Sequence, residues 1–155
     1  MQSIVFPIIR FLHDLFTAVW IGGLILLPLV ILPAIKKNPK IQEPKMVIRT
    51  IQNQLKVPAI ISMVGLALTG LLLSRRTPGF SGLFDFSSQY TLLLSVKHIL
   101  MMVMVLLALT RLTLNKKNEK QPGAVLEKAS ALVLVLNAIS GVVVLFLSAY
   151  LSVGF

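Results

Sequence analysis

The chain has 155 residues, 56% of them hydrophobic and 13% charged, with a mean hydropathy of +0.89. A soluble domain carries roughly 25% charged residues, so this sequence has about half the polar surface that water would require. Fifteen Lys and Arg against five Asp and Glu give a net charge of +10. On a soluble protein that balance would point to nucleic acid; on so apolar a chain it marks the cytoplasmic loops of a membrane protein. Cysteine is absent, which excludes disulfides, thiolate metal sites and iron–sulfur clusters.

Four apolar spans follow one another along the chain. The first covers about residues 4–35; its Leu15–Ile35 part is uncharged, and Arg10, His13 and Asp14 are embedded in the N-terminal part. The second covers 57–74. The third covers 88–110, interrupted only by Lys97 and His98, and the fourth covers 129–152 without a charge. Each approaches or exceeds the roughly 20 residues that cross about 30 Å of hydrocarbon as a helix. Membrane strands alternate over about 10 residues, and no such alternation is present. The N-terminal segment lacks a basic n-region and a small-x-small cleavage site, so it reads as a retained helix rather than a secretion signal. The expected architecture is all-α, a single transmembrane domain over 1–155 built as an integral membrane four-helix bundle.

Charge sets the expected orientation. The 36–56 loop holds Lys36, Lys37, Lys40, Lys45, Arg49 and Lys56, and the 111–128 loop holds Arg111, Lys116, Lys117, Lys120 and Lys128. The connection between the second and third spans holds only Arg75 and Arg76. Eleven basic residues against two place the first and third loops in the cytoplasm and both termini on the outer side. The expected location is the plasma (inner) membrane, multi-pass. The basic loops lack interleaved aromatics, so nucleic acid is not an expected partner; anionic lipid heads are enough to explain their charge.

Pro28 and Pro33 predict a bend or early termination in the first helix, and Pro58 is placed in the first turn of the second, where its missing N–H does no harm. Ser62, Gly65, Thr69 and Gly70 in the second span, and Ser140, Gly141 and Ser148 in the fourth, are small residues suited to close helix packing in lipid. NKKNEKQPG reads as a plain connector. Both halves run helix, basic loop, helix, with a histidine in the outer part of the first helix of each, a faint internal repeat.

The only two histidines both lie inside spans. Ionisable residues in lipid are costly and normally functional. Counted from the outer ends, His13 and His98 sit at similar depth, the arrangement a six-coordinate b-type haem needs, and neutral imidazole also suits copper. Ile9, Arg10, Thr17 and Trp20 share the His13 face. Arg10 suits a propionate or other anion, Thr17 an orienting hydrogen bond, and Trp20 packing on a macrocycle. Asp14 has Lys97 as its most attractive partner. Met101 and Met102, at i+3 and i+4 from His98, make a His/Met copper site geometrically possible, although methionine is also common core filler.

His13-x6-Trp20-Ile-Gly-Gly followed by Pro28 resembles the first helix of the copper-resistance D-type membrane proteins. It also resembles that of the related flavin-free membrane protoporphyrinogen oxidases. Pro58 with Gly70 resembles their second helix, and TLLLSVKHILMMVMVLLALTRL, with Lys97 and Arg111, their third. The resemblance implies a four-helix bundle binding b-type haem or copper near the outer side, with His13 and Lys97 carried over. The chain departs from the oxidase branch at Leu29, where that branch has Arg, at Ala108, where it has a second histidine, and at Asn137–Ser140, where it has Asn-Glu-x-Pro.

The reading favoured by these residues is a membrane haem b protein for electron transfer. The haem sits between the first and third helices on His13 and His98, flanked by Arg10, Thr17 and Trp20, and exchanges electrons with a quinone or a redox partner subunit. The alternatives are a copper-handling protein using His13, His98, Met101 and Met102, and a porphyrinogen-oxidising enzyme with Asp14 and Lys97 as catalytic candidates. A purely structural accessory subunit and a homo-oligomer also fit the sequence.

Overall fold

The computed structural model describes residues 4–74, 86 and 88–153. Arg75 and Arg76, half of the orientation argument, lie outside them. The described residues are helical throughout their long elements, with no strand among them. The helices are α1 (Val5–Leu26), a π-helical turn (Leu27–Ile31), α2 (Leu32–Lys37), α3 (Pro44–Ser74), α4 (Gln89–Lys120) and α5 (Ala124–Val153). Val5–Lys37, α3, α4 and α5 are the four stretches long and apolar enough to cross a membrane.

Burial tells what solvent these helices are built for. Only 17%, 22%, 11% and 33% of an 18-residue apolar stretch in each of the four spans is buried, and Ile8, Phe11, Leu29, Leu68, Leu106 and Phe146 are all exposed apolar residues. Water would not tolerate that much open apolar area, whereas lipid does, provided backbone groups are satisfied within helices.

Several boundaries differ from the sequence expectation. The second helix starts at Pro44 rather than 57, the third runs to Lys120 rather than 110, and the fourth starts at Ala124 rather than 129. Uncharged runs delimit the hydrocarbon-crossing part of a helix, not the helix. The 31 residues of α3 rise about 46 Å at 1.5 Å each, well beyond a core of about 30 Å. Pro58 is therefore inside α3, not in its first turn; the missing N–H falls opposite the carbonyl of exposed Gln54. Most of the NKKNEKQPG connector is likewise helical, leaving only residues 121–123 as a link.

The first span neither breaks nor ends at its prolines. Pro28 sits at the start of the π-helical turn and Pro33 at the start of α2, and the helix continues to Lys37. A π turn widens the backbone ladder by one residue, which makes room for a ring that would clash with the carbonyl four residues back. At the other end of the chain's design, α4 starts on a capping box. Ser88 Oγ accepts from the Thr91 N–H at 3.2 Å and Thr91 Oγ accepts from the Ser88 N–H at 3.0 Å.

The chain divides into two compact units, Met1–Phe80 and Ser81–Phe155. The boundary falls between the two halves of the suggested repeat, and each unit is a pair of long helices. In the first, α1 packs on α3; Ser62, Leu66 and Thr69, spaced four and three apart, are buried on α3. In the second, α4 packs on α5. Ser130, Leu134, Asn137, Gly141 and Val144 are buried on α5 at spacings of four, three, four and three, the seam of two helices crossing at a shallow angle. Ser130 Oγ donates to Asn115 Oδ1 at 2.6 Å and Asn137 Nδ2 to the Met104 carbonyl at 3.2 Å, tying the seam to α4.

Candidate functional site

In the first unit the site is built where α1 meets α3. His13 Nδ1 lies 2.9 Å from Thr69 Oγ, and Thr69, 7% exposed, also donates to the carbonyl of Gly65 at 2.6 Å. The imidazole lies beside the neighbouring Gly70: a Cβ there would stand 3.5 Å from His13 Cε1, in ordinary contact. One turn back on α3, a Cβ at Gly65 would overlap the Phe16 ring. The two helices approach closely because Gly65 has no side chain, and that approach brings the Thr69 hydroxyl within reach of His13.

The residues expected around His13 take different places. Thr17 donates to the His13 backbone carbonyl at 2.8 Å, so its hydrogen is committed to α1 itself. Trp20 is buried, 3% exposed. Ile9 is half-buried, while Arg10 and Asp14 are exposed on α1. The imidazole partner that sequence reasoning missed is Thr69. It was visible only as one of several small residues on the second helix, because a contact between positions 56 apart leaves no periodic trace.

In the second unit His98 Nδ1 is 2.7 Å from the carbonyl of Leu94, one turn back on α4. A carbonyl only accepts, so Nδ1 carries a proton, and in the neutral form of the ring the lone pair is on Nε2. Met101 is half-buried and Met102 is 49% exposed; residues three and four apart on a helix are side-by-side neighbours, so both methionines share a face of α4 with His98. Lys97 is half-buried on the same helix. Met104, the third methionine, is fully buried at 0% exposure, and its carbonyl accepts from Asn137. Two polar atoms in this unit are buried without a hydrogen-bond partner among the described residues, Arg111 Nε and Asn137 Oδ1.

The structure thus joins His13 to Thr69 and Gly70, and His98 to the backbone of its own helix. His13 and His98 belong to different units. Among the described residues no group of three or more His, Cys, Asp or Glu side chains gathers to hold a metal ion.

These features define a class, a multi-pass α-helical membrane protein carrying intramembrane imidazoles. The match to known families narrows it. Residues 51–151, about two thirds of the chain, match the family model described as Copper resistance protein D, and the chain belongs to that family. The matched stretch takes in most of α3 and all of α4, including Thr69, Lys97, His98, Met101 and Met102, and most of α5; it does not include His13. No curated protein and no solved structure matches the chain.

Proposed function

We propose that this protein handles copper in the membrane, using His13 and His98 as imidazole donors and Met101 and Met102 as thioether donors. The copper ion is the cargo, and the two donor types suit its monovalent state. The observation that carries this reading is the His98 geometry. Its Nδ1–H is tied to Leu94, its lone pair is on Nε2, two methionines follow within one turn, and all three residues lie inside the stretch matched to the copper-resistance family. With both basic loops in the cytoplasm, the two imidazoles belong to the outer half of the membrane, and the plasma membrane is the expected location.

The second reading is the haem b expected from the paired histidines. An axial ligand must be a neutral imidazole with one nitrogen tied back, and His98 meets that demand on Nε2. In this reading His13 and His98 hold the iron, and Arg10 and Trp20 lie on the helix that carries one of them. Bound haem would supply one-electron exchange with a quinone or partner subunit. Porphyrinogen oxidation through Asp14 and Lys97 draws less support, since the family match carries copper rather than a porphyrinogen substrate.

Detergent-purified protein titrated with Cu(I) against a chromophoric chelator separates these readings, together with its optical spectrum. The copper reading expects stoichiometric Cu(I) retention, lost in His98→Ala and weakened in the Met101→Leu/Met102→Leu double variant. A protein that retains no Cu(I) and shows a split α/β band pair on reduction would overturn it in favour of haem. Consumption of a porphyrinogen with a quinone acceptor would restore the enzyme reading.

A further inference from the structure

We infer that Thr69 is a positioning residue for His13, fixing which imidazole nitrogen offers its lone pair to copper; this rests on the reading of His13 as a ligand. A threonine hydroxyl has one hydrogen to give and two lone pairs to accept with. Thr69 Oγ lies 2.6 Å from the Gly65 carbonyl and 3.5 Å from that of Leu66. A carbonyl cannot donate, so the short contact to Gly65 takes the hydroxyl hydrogen. The remaining contact, 2.9 Å to His13 Nδ1, must then run the other way, with the ring donating and Thr69 accepting. Nδ1 therefore carries a proton, and in the neutral form of the ring the lone pair is on Nε2.

Three further observations make this a built arrangement. Thr69 is buried, so water does not stand in for its hydroxyl at low cost. Thr17, a hydroxyl one turn on from His13 on α1 itself, gives its hydrogen to the His13 carbonyl, so it does not donate to the ring. A Cβ at Gly70, the residue after Thr69, would stand 3.5 Å from the ring, so the ring lies beside α3 at two adjacent residues. In both neutral rings the lone pair therefore falls on Nε2, for His98 by way of its own backbone and for His13 by way of a neighbouring helix. Partners that orient a metal-bound imidazole in this manner are typically worth about 10- to 100-fold in metal affinity.

The test is nitrogen-15 NMR of the full chain, labelled at histidine, in detergent micelles without metal. Two histidines give two rings, and His98→Ala assigns them. The wild-type His13 ring is expected protonated at Nδ1, unchanged in Thr69→Ser and redistributed between the two nitrogens in Thr69→Val. Competition against a chelator should show Cu(I) bound about 10- to 100-fold more weakly by Thr69→Val, with Thr69→Ser restoring affinity. A wild-type ring protonated at Nε2 would overturn the inference without any variant needing to fold, and so would a Thr69→Val protein with unchanged tautomer and affinity. If the tautomers behave as stated but His13→Ala binds Cu(I) as tightly as wild type, the ligand reading falls while the direction of the Thr69 hydrogen bond stands.

Discussion

The two units solve the same problem by different means. In α4·α5 the His98 ring is tied to the carbonyl one turn back on its own helix, so its orientation follows from α4 being helical. In α1·α3 the His13 ring is tied to a hydroxyl 56 residues away, so its orientation exists only while two helices pack. The first arrangement is local and robust to packing changes. The second makes the imidazole's geometry a readout of tertiary structure, and it places the demand on Gly65, which sets the approach.

The sharpest way to break this contrast is at Gly65. Valine there would overlap Phe16, and overpacking of this kind typically costs about 1–3 kcal/mol. Thermal unfolding in detergent should show the loss, and NMR of the variant should show a disturbed His13 beside an unchanged His98. A variant with both rings unchanged would mean that the α1·α3 approach does not position His13.

A smaller effect is expected in the other unit. Asn137→Ala removes the bond from α5 to the Met104 carbonyl, worth about 1 kcal/mol in a membrane setting. Because Asn137 Oδ1 is already buried without a partner among the described residues, Asn137→Leu should recover part of that stability. Reversible unfolding of the two variants checks the order, with the His13 tautomer expected to stay fixed in both. The least effect belongs to Gly70→Ala. A methyl 3.5 Å from the imidazole is ordinary contact, so stability should change by less than about 0.5 kcal/mol and Cu(I) affinity by less than that of Thr69→Val.

Much of this was legible in the sequence, and the physics explains the remainder. Four membrane helices followed from composition, and the small residues Gly65, Thr69 and Gly70 were recognisable as packing positions. Helix ends were not, because charges report where hydrocarbon stops, whereas hydrogen bonding continues through Lys45–Lys56 and Arg111–Lys120. Pro28 and Pro33 looked like breaks because sequence reasoning weighs proline against an α-helix and not against a π turn. At the site, both histidines were singled out from their place in lipid. Thr17, on the same helix, was the hydroxyl offered for an orienting bond; it gives its hydrogen to the backbone, and the hydroxyl 2.9 Å from Nδ1 is that of Thr69. Spacing within one helix is written in sequence; which residue of another helix arrives opposite is set by how closely Gly65 lets the helices meet.

The most direct test follows both imidazoles by nitrogen-15 NMR while Cu(I) is added to the detergent-purified full chain. The copper reading expects stoichiometric Cu(I) to shift the Nε2 resonances of His13 and His98, with Nδ1 of each ring keeping its proton. Unshifted Nε2 resonances at stoichiometric Cu(I), or loss of the proton from either Nδ1, would contradict it.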